Sequence, residues 1–303
     1  MLIKNINPNF IIMKRILFVN GGSKEFGNRF RNACEQAQIE CVSVRSHHNS
    51  FIIASKTGCR YFHLGEEIDL GSFDYSFIRV RGKFSHMTAL MSYILSFNKV
   101  AFNDLSNLEH TMNDEKITQM VKFGCHKIPI PETAIFSKIS YKKNKDDILK
   151  FVDFPCVLKT NGSKGEAVWK VNNLQEFESR IMQIEDDLII SQEYIKNDYD
   201  IRALFFESEL LGAISRYSGD GFYNNVSRGG KVEEVKLSET EIELSKKAIN
   251  VLGLDFGGVD FIRTEEGIIF LEINKGPMVY GLEMATGLDI PAEILKRIKK
   301  RHF

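Results

Sequence analysis

Three oxygen-bearing side chains, Asp260, Glu272 and Asn274, sit in two apolar runs separated by a short polar turn. The second run, G-I-I-F-L-E-I-N-K-G-P over 267–277, reads as a strand ending at Gly-Pro. Side chains two apart in a strand share a face, so Glu272 and Asn274 lie side by side. The first run, G-G-V-D-F-I-R over 257–263, holds one acid, and T-E-E-G links the two. A hairpin centred on Glu266 puts Asp260 directly opposite Glu272. Buried carboxylates without partners are costly, so such a cluster calls for cations. All-oxygen ligands suit Mg²⁺ that also holds phosphate oxygens. The alternative, a solvated hairpin with scattered acids, fits the apolar flanks less well.

The composition sets the frame for that cluster. At 303 residues the chain is about two domains long. It is 43% apolar and 26% charged, and 40 basic residues cancel 40 acidic ones. That balance argues against a general nucleic-acid binder. The five cysteines include no C-x-x-C and read as reduced, mostly buried thiols of a cytoplasmic protein. The seven histidines show no zinc-ligand spacing. No apolar run has membrane-spanning length. The apolar start lacks a small-residue cleavage site, and residues 1–12 read as a disordered leader.

The elements that must position the acids can be read from pattern. Strand 15–20, helix 25–38 and strand 40–45 open the chain in strand–helix–strand order, which predicts a parallel sheet. Gly21-Gly22 after the first strand reads as a plain turn. Strand 75–81, a helix over 85–97 and strand 99–104 complete a small α/β unit, 1–104. A helix over 113–123, closed by Gly124, opens a second unit, 105–196, with strands 154–160, 168–171 and 187–195 and a helix over 173–185. The third unit, 197–303, holds a hairpin of 200–206 with 209–217, the polar loop 219–230, a helix over 238–252, the acid-bearing hairpin and a final helix over 290–301. The fold class is α/β.

Lys159 ends an apolar strand and N-G-S-K-G follows it. Glycines let backbone N–H groups close over an anion, and Lys159 and Lys164 add charge. Taken alone, a lysine-bearing hairpin turn reads equally well. The order of the whole set gives it weight: Lys116 before P-I-P-E-T, Lys159 before the glycine loop, Q-E-Y-I at 192–195, D-I-R at 200–202, Arg216, then N-N-V-S-R-G-G, then the acid cluster. In this order the chain resembles the ATP-grasp superfamily, and within it the ribosomal-protein glutamate ligases (RimK-like) and their peptide-modifying relatives. The resemblance covers about 113–295. It includes N-K-G-P-M-V-Y-G-L-E-M-A-T-G-L-D-I, which is similar to that branch's closing signature.

The resemblance implies a two-layer ATP-grasp fold behind a small parallel domain, and a role for each matching residue. Lys116 and Lys159 reach the ATP phosphates, with Ser163, Lys164 and Gly165 in a lid over them. Glu193, Tyr194 and Ile195 hold adenine, and Asp200 lies near the ribose. Asp260, Glu272 and Asn274 bind two Mg²⁺ ions, with Mn²⁺ as the alternative metal. Arg216, Asn225 and Arg228 face the transferred phosphate and the substrate carboxylate; the plain alternative for the arginines is a surface ion pair. Two departures touch the substrate pocket: Tyr223 stands where the glutamate ligases carry Arg, and Lys275-Gly276 with Met278 replaces the usual residues around Pro277.

The expected activity is ATP-dependent carboxylate–amine ligation through an acylphosphate. A kinase on the same fold and a non-catalytic nucleotide-binding module are the alternatives. The partners are a carboxylate-bearing substrate (peptide, protein tail or amino acid) and an amine, without membrane or nucleic acid; a homo-oligomer is compatible with the chain.

Overall fold

In Arg15–Asn20 (β1) every residue after the first is buried, the mark of a strand covered on both faces. It pairs in parallel with Glu40–Val44 (β2) and with Tyr75–Arg79 (β6), which pairs in parallel with Ala101–Phe102 (β7). The resulting order is β2-β1-β6-β7. The structure is a computed structural model that describes residues 13–21, 23–45, 50–56, 58–79, 85–103, 116–160, 168–186, 188–217 and 231–303. Helix Lys24–Gln36 (α1) is capped by Ser23, which accepts from the Phe26 N–H, and buries Phe26, Phe30 and Cys34. Helix Ser85–Phe97 (α2) contributes Met91 and Leu95 to a separate core that also holds Leu17, Val19 and Ile78. The Gly21 N–H donates to the Arg79 carbonyl at 2.7 Å, which extends the β1–β6 pairing past Asn20. Between β2 and β6 lies a sheet with no counterpart in the sequence reading: Ser50–Ser55 (β3), Gly58–His63 (β4) and Glu66–Ile68 (β5), antiparallel throughout.

Helix Lys116–Cys125 (α3) runs through Gly124, where the sequence predicts its end. A four-stranded antiparallel sheet follows, made of Thr133–Phe136 (β8), Cys156–Lys159 (β9), Val168–Val171 (β10) and Ile189–Glu193 (β11) in the order β10-β9-β11-β8. The short helices Lys138–Lys143 (α4) and Lys145–Leu149 (α5) pack on it with Leu174–Gln183 (α6).

The largest sheet joins Tyr199–Phe206 (β12), Glu209–Tyr217 (β13), Val232–Glu234 (β14), Phe256–Thr264 (β15) and Gly267–Asn274 (β16) in the order β14-β13-β12-β15-β16. Helix Glu239–Val251 (α7) starts at a capping box formed by Ser238 and Glu241. It covers one sheet face through Ala248 and Ile249, which pack with Ile201, Val259, Phe261 and Phe270. The closing signature builds a joint between Tyr280–Thr286 (α8) and Ile290–His302 (α9). Glu283 accepts from the Ile290 N–H, Thr286 accepts from the Leu288 N–H, Asp289 caps α9, and Gly287 takes the left-handed turn at φ 71°. Glu283 also pairs with Arg29 of α1, tying this joint to the first sheet.

The expectation of mostly buried thiols is corrected. Cys34 and Cys156 are buried, Cys41 is half-buried, and Cys59 and Cys125 are exposed. Among the described residues no helix is long and apolar enough to cross a membrane.

Candidate active site

The turn between β15 and β16 is tight, with Thr264 paired to Gly267. Pairing then runs regularly to Phe261 opposite Phe270, and an irregularity follows. Beyond it Asp260 faces Glu272 and Gly258 faces Asn274. Leu271 is the extra residue, a β-bulge in the outer strand. The bulge decides which face carries the acids. Ile268 and Phe270 point into the core under α7, and without an extra residue Glu272 and Asn274 would follow them there. With Leu271 inserted, Ile273 takes the core position instead, and Glu272 and Asn274 turn to the opposite face. The hairpin is therefore centred between Glu265 and Glu266, not on Glu266, and the bulge supplies the one-residue offset.

That opposite face carries a row of charges at alternate positions. Asp200 lies across from Arg216 in the β12–β13 register, and Arg202 across from Asp260 in the β12–β15 register. Arg216 sends Nε to Asp200 Oδ1 at 2.6 Å and Nη2 to Asp200 Oδ2 at 2.8 Å, a two-pronged fork. The same Nη2 is 3.0 Å from Asp260 Oδ2. Arg202 makes a second fork onto Asp260, 2.7 Å from Nε and 2.5 Å from Nη2. Asp200, Arg216 and Asp260 are all under 10% exposed, at 6%, 4% and 3%. Burial raises the Asp200 carboxyl, and Arg216 works against that. At Asp260 burial also pushes upward, but Arg202 and Arg216 outweigh it and hold the carboxyl below its usual range.

The sequence prediction placed Asp200 beside a ribose. Here both its oxygens receive Arg216. The surface-ion-pair alternative for Arg216 fails on burial. Arg202 was not among the predicted site residues. The signal for it was in D-I-R, because a residue two beyond Asp200 in a strand shares its face.

Glu272 is the meeting point of three elements. The Asn274 amide donates to its Oε1 at 3.0 Å, and the Lys116 Nζ at the start of α3 is 3.8 Å from its Oε2. Lys159, at the end of β9, feels both residues. Burial and the nearby Lys116 charge pull its pKa down to about 8, with Glu272 opposing. Glu193 ends β11, and its N–H donates to the Glu132 carbonyl at 3.0 Å. Tyr194 and Ile195 follow in the link to β12, with the Lys170 Nζ 3.8 Å from the Tyr194 ring centre. Ser163, Lys164, Gly165, Asn225, Arg228 and Tyr223 lie outside the described residues.

The donor set can be tested against a metal. Among the described residues no group of three His, Cys, Asp or Glu side chains could hold an ion. The candidate set is two carboxylates and one amide, all oxygen donors, with ammonium groups close by. That fits Mg²⁺, which binds through one or two carboxylates and completes its shell with water and substrate phosphates.

Comparison with known proteins gives the family and the fold. Residues 113–298 match the RimK-like ATP-grasp domain family. A probable alpha-L-glutamate ligase of Pasteurella multocida (strain Pm70) is 32% identical over 160 residues, which span 51% of this chain and 51% of that relative. A second, from Aeromonas salmonicida (strain A449), is 27% identical over 286 residues, 88% of this chain and 92% of that protein. Among solved structures, the ATP-grasp ligase PsnB complexed with minimal precursor, Mg and ADP superposes with a TM-score of 0.71 at 14% identity, covering 95% of this chain and 97% of that one. At that identity the likeness speaks for the fold. Fold, family match and placement of the acids converge, and the chain belongs to the RimK-like ATP-grasp domain family.

Proposed function

We propose that the protein is an ATP-dependent carboxylate–amine ligase acting on a carboxylate-bearing peptide or protein. The observation that carries this reading is the single sheet face on which Asp260 and Glu272 pair, with Arg202, Arg216 and Lys116 within ion-pair distance of them. The named relatives are probable alpha-L-glutamate ligases, and PsnB is an ATP-grasp ligase complexed with minimal precursor, Mg and ADP. In this reading Asp260, Glu272 and Asn274 hold two Mg²⁺ ions, which neutralise phosphate charge. Lys116 and Lys159 bind the ATP phosphates, under a lid that includes Ser163, Lys164 and Gly165. Glu193, Tyr194 and Ile195 receive adenine.

The chemistry then needs orientation and positive charge rather than a protein nucleophile. A substrate carboxylate oxygen attacks the γ-phosphorus, the bond to the β-phosphate oxygen breaks, and ADP leaves. An amine attacks the acyl carbon of the acylphosphate, loses a proton, and phosphate departs. Arg216, held flat by Asp200, faces the transferring group with Arg202, and Asn225 and Arg228 contact the acceptor. Tyr223 removes a charge that the glutamate ligases offer, which favours a single carboxylate in a peptide over free glutamate. The cytoplasm is the compartment that suits this reaction.

Hydroxylamine tests the reaction class, because it traps an acylphosphate as a hydroxamate and leaves a phosphate ester alone. Hydroxamate that depends on ATP, Mg²⁺ and a carboxylate peptide is the expected result. A stable phosphorylated product without hydroxamate would replace the ligase with a kinase.

A further inference from the structure

β16 is the outer strand of the largest sheet, and its far edge presents backbone N–H and C=O groups beyond β15. Near the metal-ligand end that edge is completed from outside the sheet. The Phe270 N–H donates to the Pro129 carbonyl at 2.9 Å. At Ile273 the partner is a side chain. The Gln119 Nε2 donates to the Ile273 carbonyl at 2.9 Å, and the Gln119 Oε1 accepts from the Ile273 N–H at 2.8 Å. One primary amide thus makes both bonds that a neighbouring strand residue would make. Gln119 is 2% exposed, so water cannot replace it cheaply at Ile273.

The place of this contact matters. Ile273 is the residue between Glu272 and Asn274, just past the Leu271 bulge where regular pairing has been interrupted. Gln119 lies three residues after Lys116 on α3, so the two side chains leave the same side of the helix. Met120 and Phe123 anchor that helix in the core that also holds Ile273. The Gln119 amide therefore fixes the strand that carries Glu272 and Asn274 to the helix that carries Lys116.

We infer that Gln119 is a positioning residue for the metal site: by pairing with both backbone groups of Ile273 it sets the spacing of Glu272 and Asn274 against Lys116. This rests on the ligase reading above. Groups that hold metal ligands in place typically change metal affinity by about 10–100-fold when removed.

The test is Mn²⁺ binding to the full chain in the presence of ADP, followed by electron paramagnetic resonance. Gln119→Leu keeps the volume and loses both bonds. It should weaken Mn²⁺ by about tenfold or more, raise the metal concentration for half-maximal ADP release, and regain most of its kcat at saturating metal. Amide exchange at Ile273 should speed up in the same variant. Gln119→Met, unbranched and lacking both the donor and the acceptor, is the variant to read if Gln119→Leu does not fold, and its Mn²⁺ affinity should fall by a similar factor. A folded variant with wild-type Mn²⁺ affinity would overturn the positioning role. A wild-type protein that binds no Mn²⁺ with ADP would overturn the ligase reading, and this inference with it, before any variant is compared.

Discussion

Arg216 offers the sharpest test of how the charged face is held together. Its guanidinium is shared by Asp200, at 2.6 and 2.8 Å, and Asp260, at 3.0 Å, and all three groups are buried. Arg216→Met removes the charge and keeps much of the volume. Asp260 retains the Arg202 fork at 2.7 and 2.5 Å. Asp200 loses the partner of both its oxygens. Breaking a buried pair from one side costs about 3–5 kcal/mol, on the order of 10 °C in Tm for a protein of this size. The loss must depend on pH. Burial already raises the Asp200 pKa, and removing Arg216 raises it further. A carboxyl with a raised folded pKa penalises the folded state above its unfolded value of about 3.9. The penalty grows with pH until the folded pKa is passed, so the loss is greatest near neutrality and shrinks toward pH 4.

The double variant Asp200→Asn with Arg216→Met removes both charges. Replacing a whole buried pair by neutral groups is often close to neutral, so the double should recover at least half of the loss. Urea denaturation in EDTA from pH 4 to pH 8, run on both singles and the double, reads these quantities directly. A single variant that loses less than about 1 kcal/mol at pH 7, or a double no better than Arg216→Met, refutes the account of a mutually dependent buried pair.

Two further outcomes follow from other parts of the site. Lys159, with its pKa pulled down to about 8, loses its charge as pH rises through that value. Bound phosphate favours the charged form, so affinity for a non-hydrolysable ATP analogue should fall by up to about tenfold per unit above that pKa; calorimetry from pH 7 to 9.5 reads it, Lys159→Arg should flatten the profile, and a flat wild-type profile refutes the assignment. Folding stability has the opposite slope there, because the fold disfavours the charged amine and gains as pH climbs toward the unfolded value. At Gly258 an added Cβ would lie 2.7 Å from the Pro277 Cβ and 3.3 Å from its Cγ, so Gly258→Ala must displace the loop that follows Asn274. It should cost about 1–3 kcal/mol and reduce ADP release more than Gly257→Ala, whose nearest neighbour, the Ile273 Cγ2, is farther off at 3.1 Å; equal effects of the two on ADP release would refute the close approach.

The elements that sequence made legible are those whose burial matches a simple period. R-I-L-F-V-N is apolar throughout its interior and becomes a strand over the range read for it. The helix over 238–252 carries a capping box at its start, and α7 begins there. The three strands β3, β4 and β5 went unread for the converse reason. In S-F-I-I-A-S, Phe51 and Ile53 are 46% and 44% exposed, so their apolar character reports no core face. Helices α4 and α5 span six and five residues, too few for a period of 3.6 to declare itself. Gln119 carries no sequence signal at all. A glutamine inside a helix looks like an ordinary surface residue until the fold places a strand edge beside it.

The acid cluster teaches the most, because the pairing of Asp260 with Glu272 was read from a geometry the chain does not adopt. A hairpin centred on Glu266 would pair the two acids with no irregularity. The actual turn pairs Thr264 with Gly267, and continued strictly it would set Asp260 opposite Leu271. In that register Glu272 and Asn274 would share a face with Ile268 and Phe270 and enter an apolar core, where an unpaired carboxylate is strongly disfavoured. The burial pattern of the folded strand shows the correction. Ile268 and Phe270 are two apart, while the next buried residue, Ile273, is three further on. A strand cannot bury all three on one face unless one residue is looped out between them, so the break in burial marks the bulge, while in the sequence Ile269, Leu271 and Ile273 alternate just as well and hide it. Hydrophobic burial on one face, not attraction among the acids, thus selects the register that brings Asp260 and Glu272 together. The Gln119 amide then holds the strand at Ile273, immediately after the point where the bulge has disturbed its pairing.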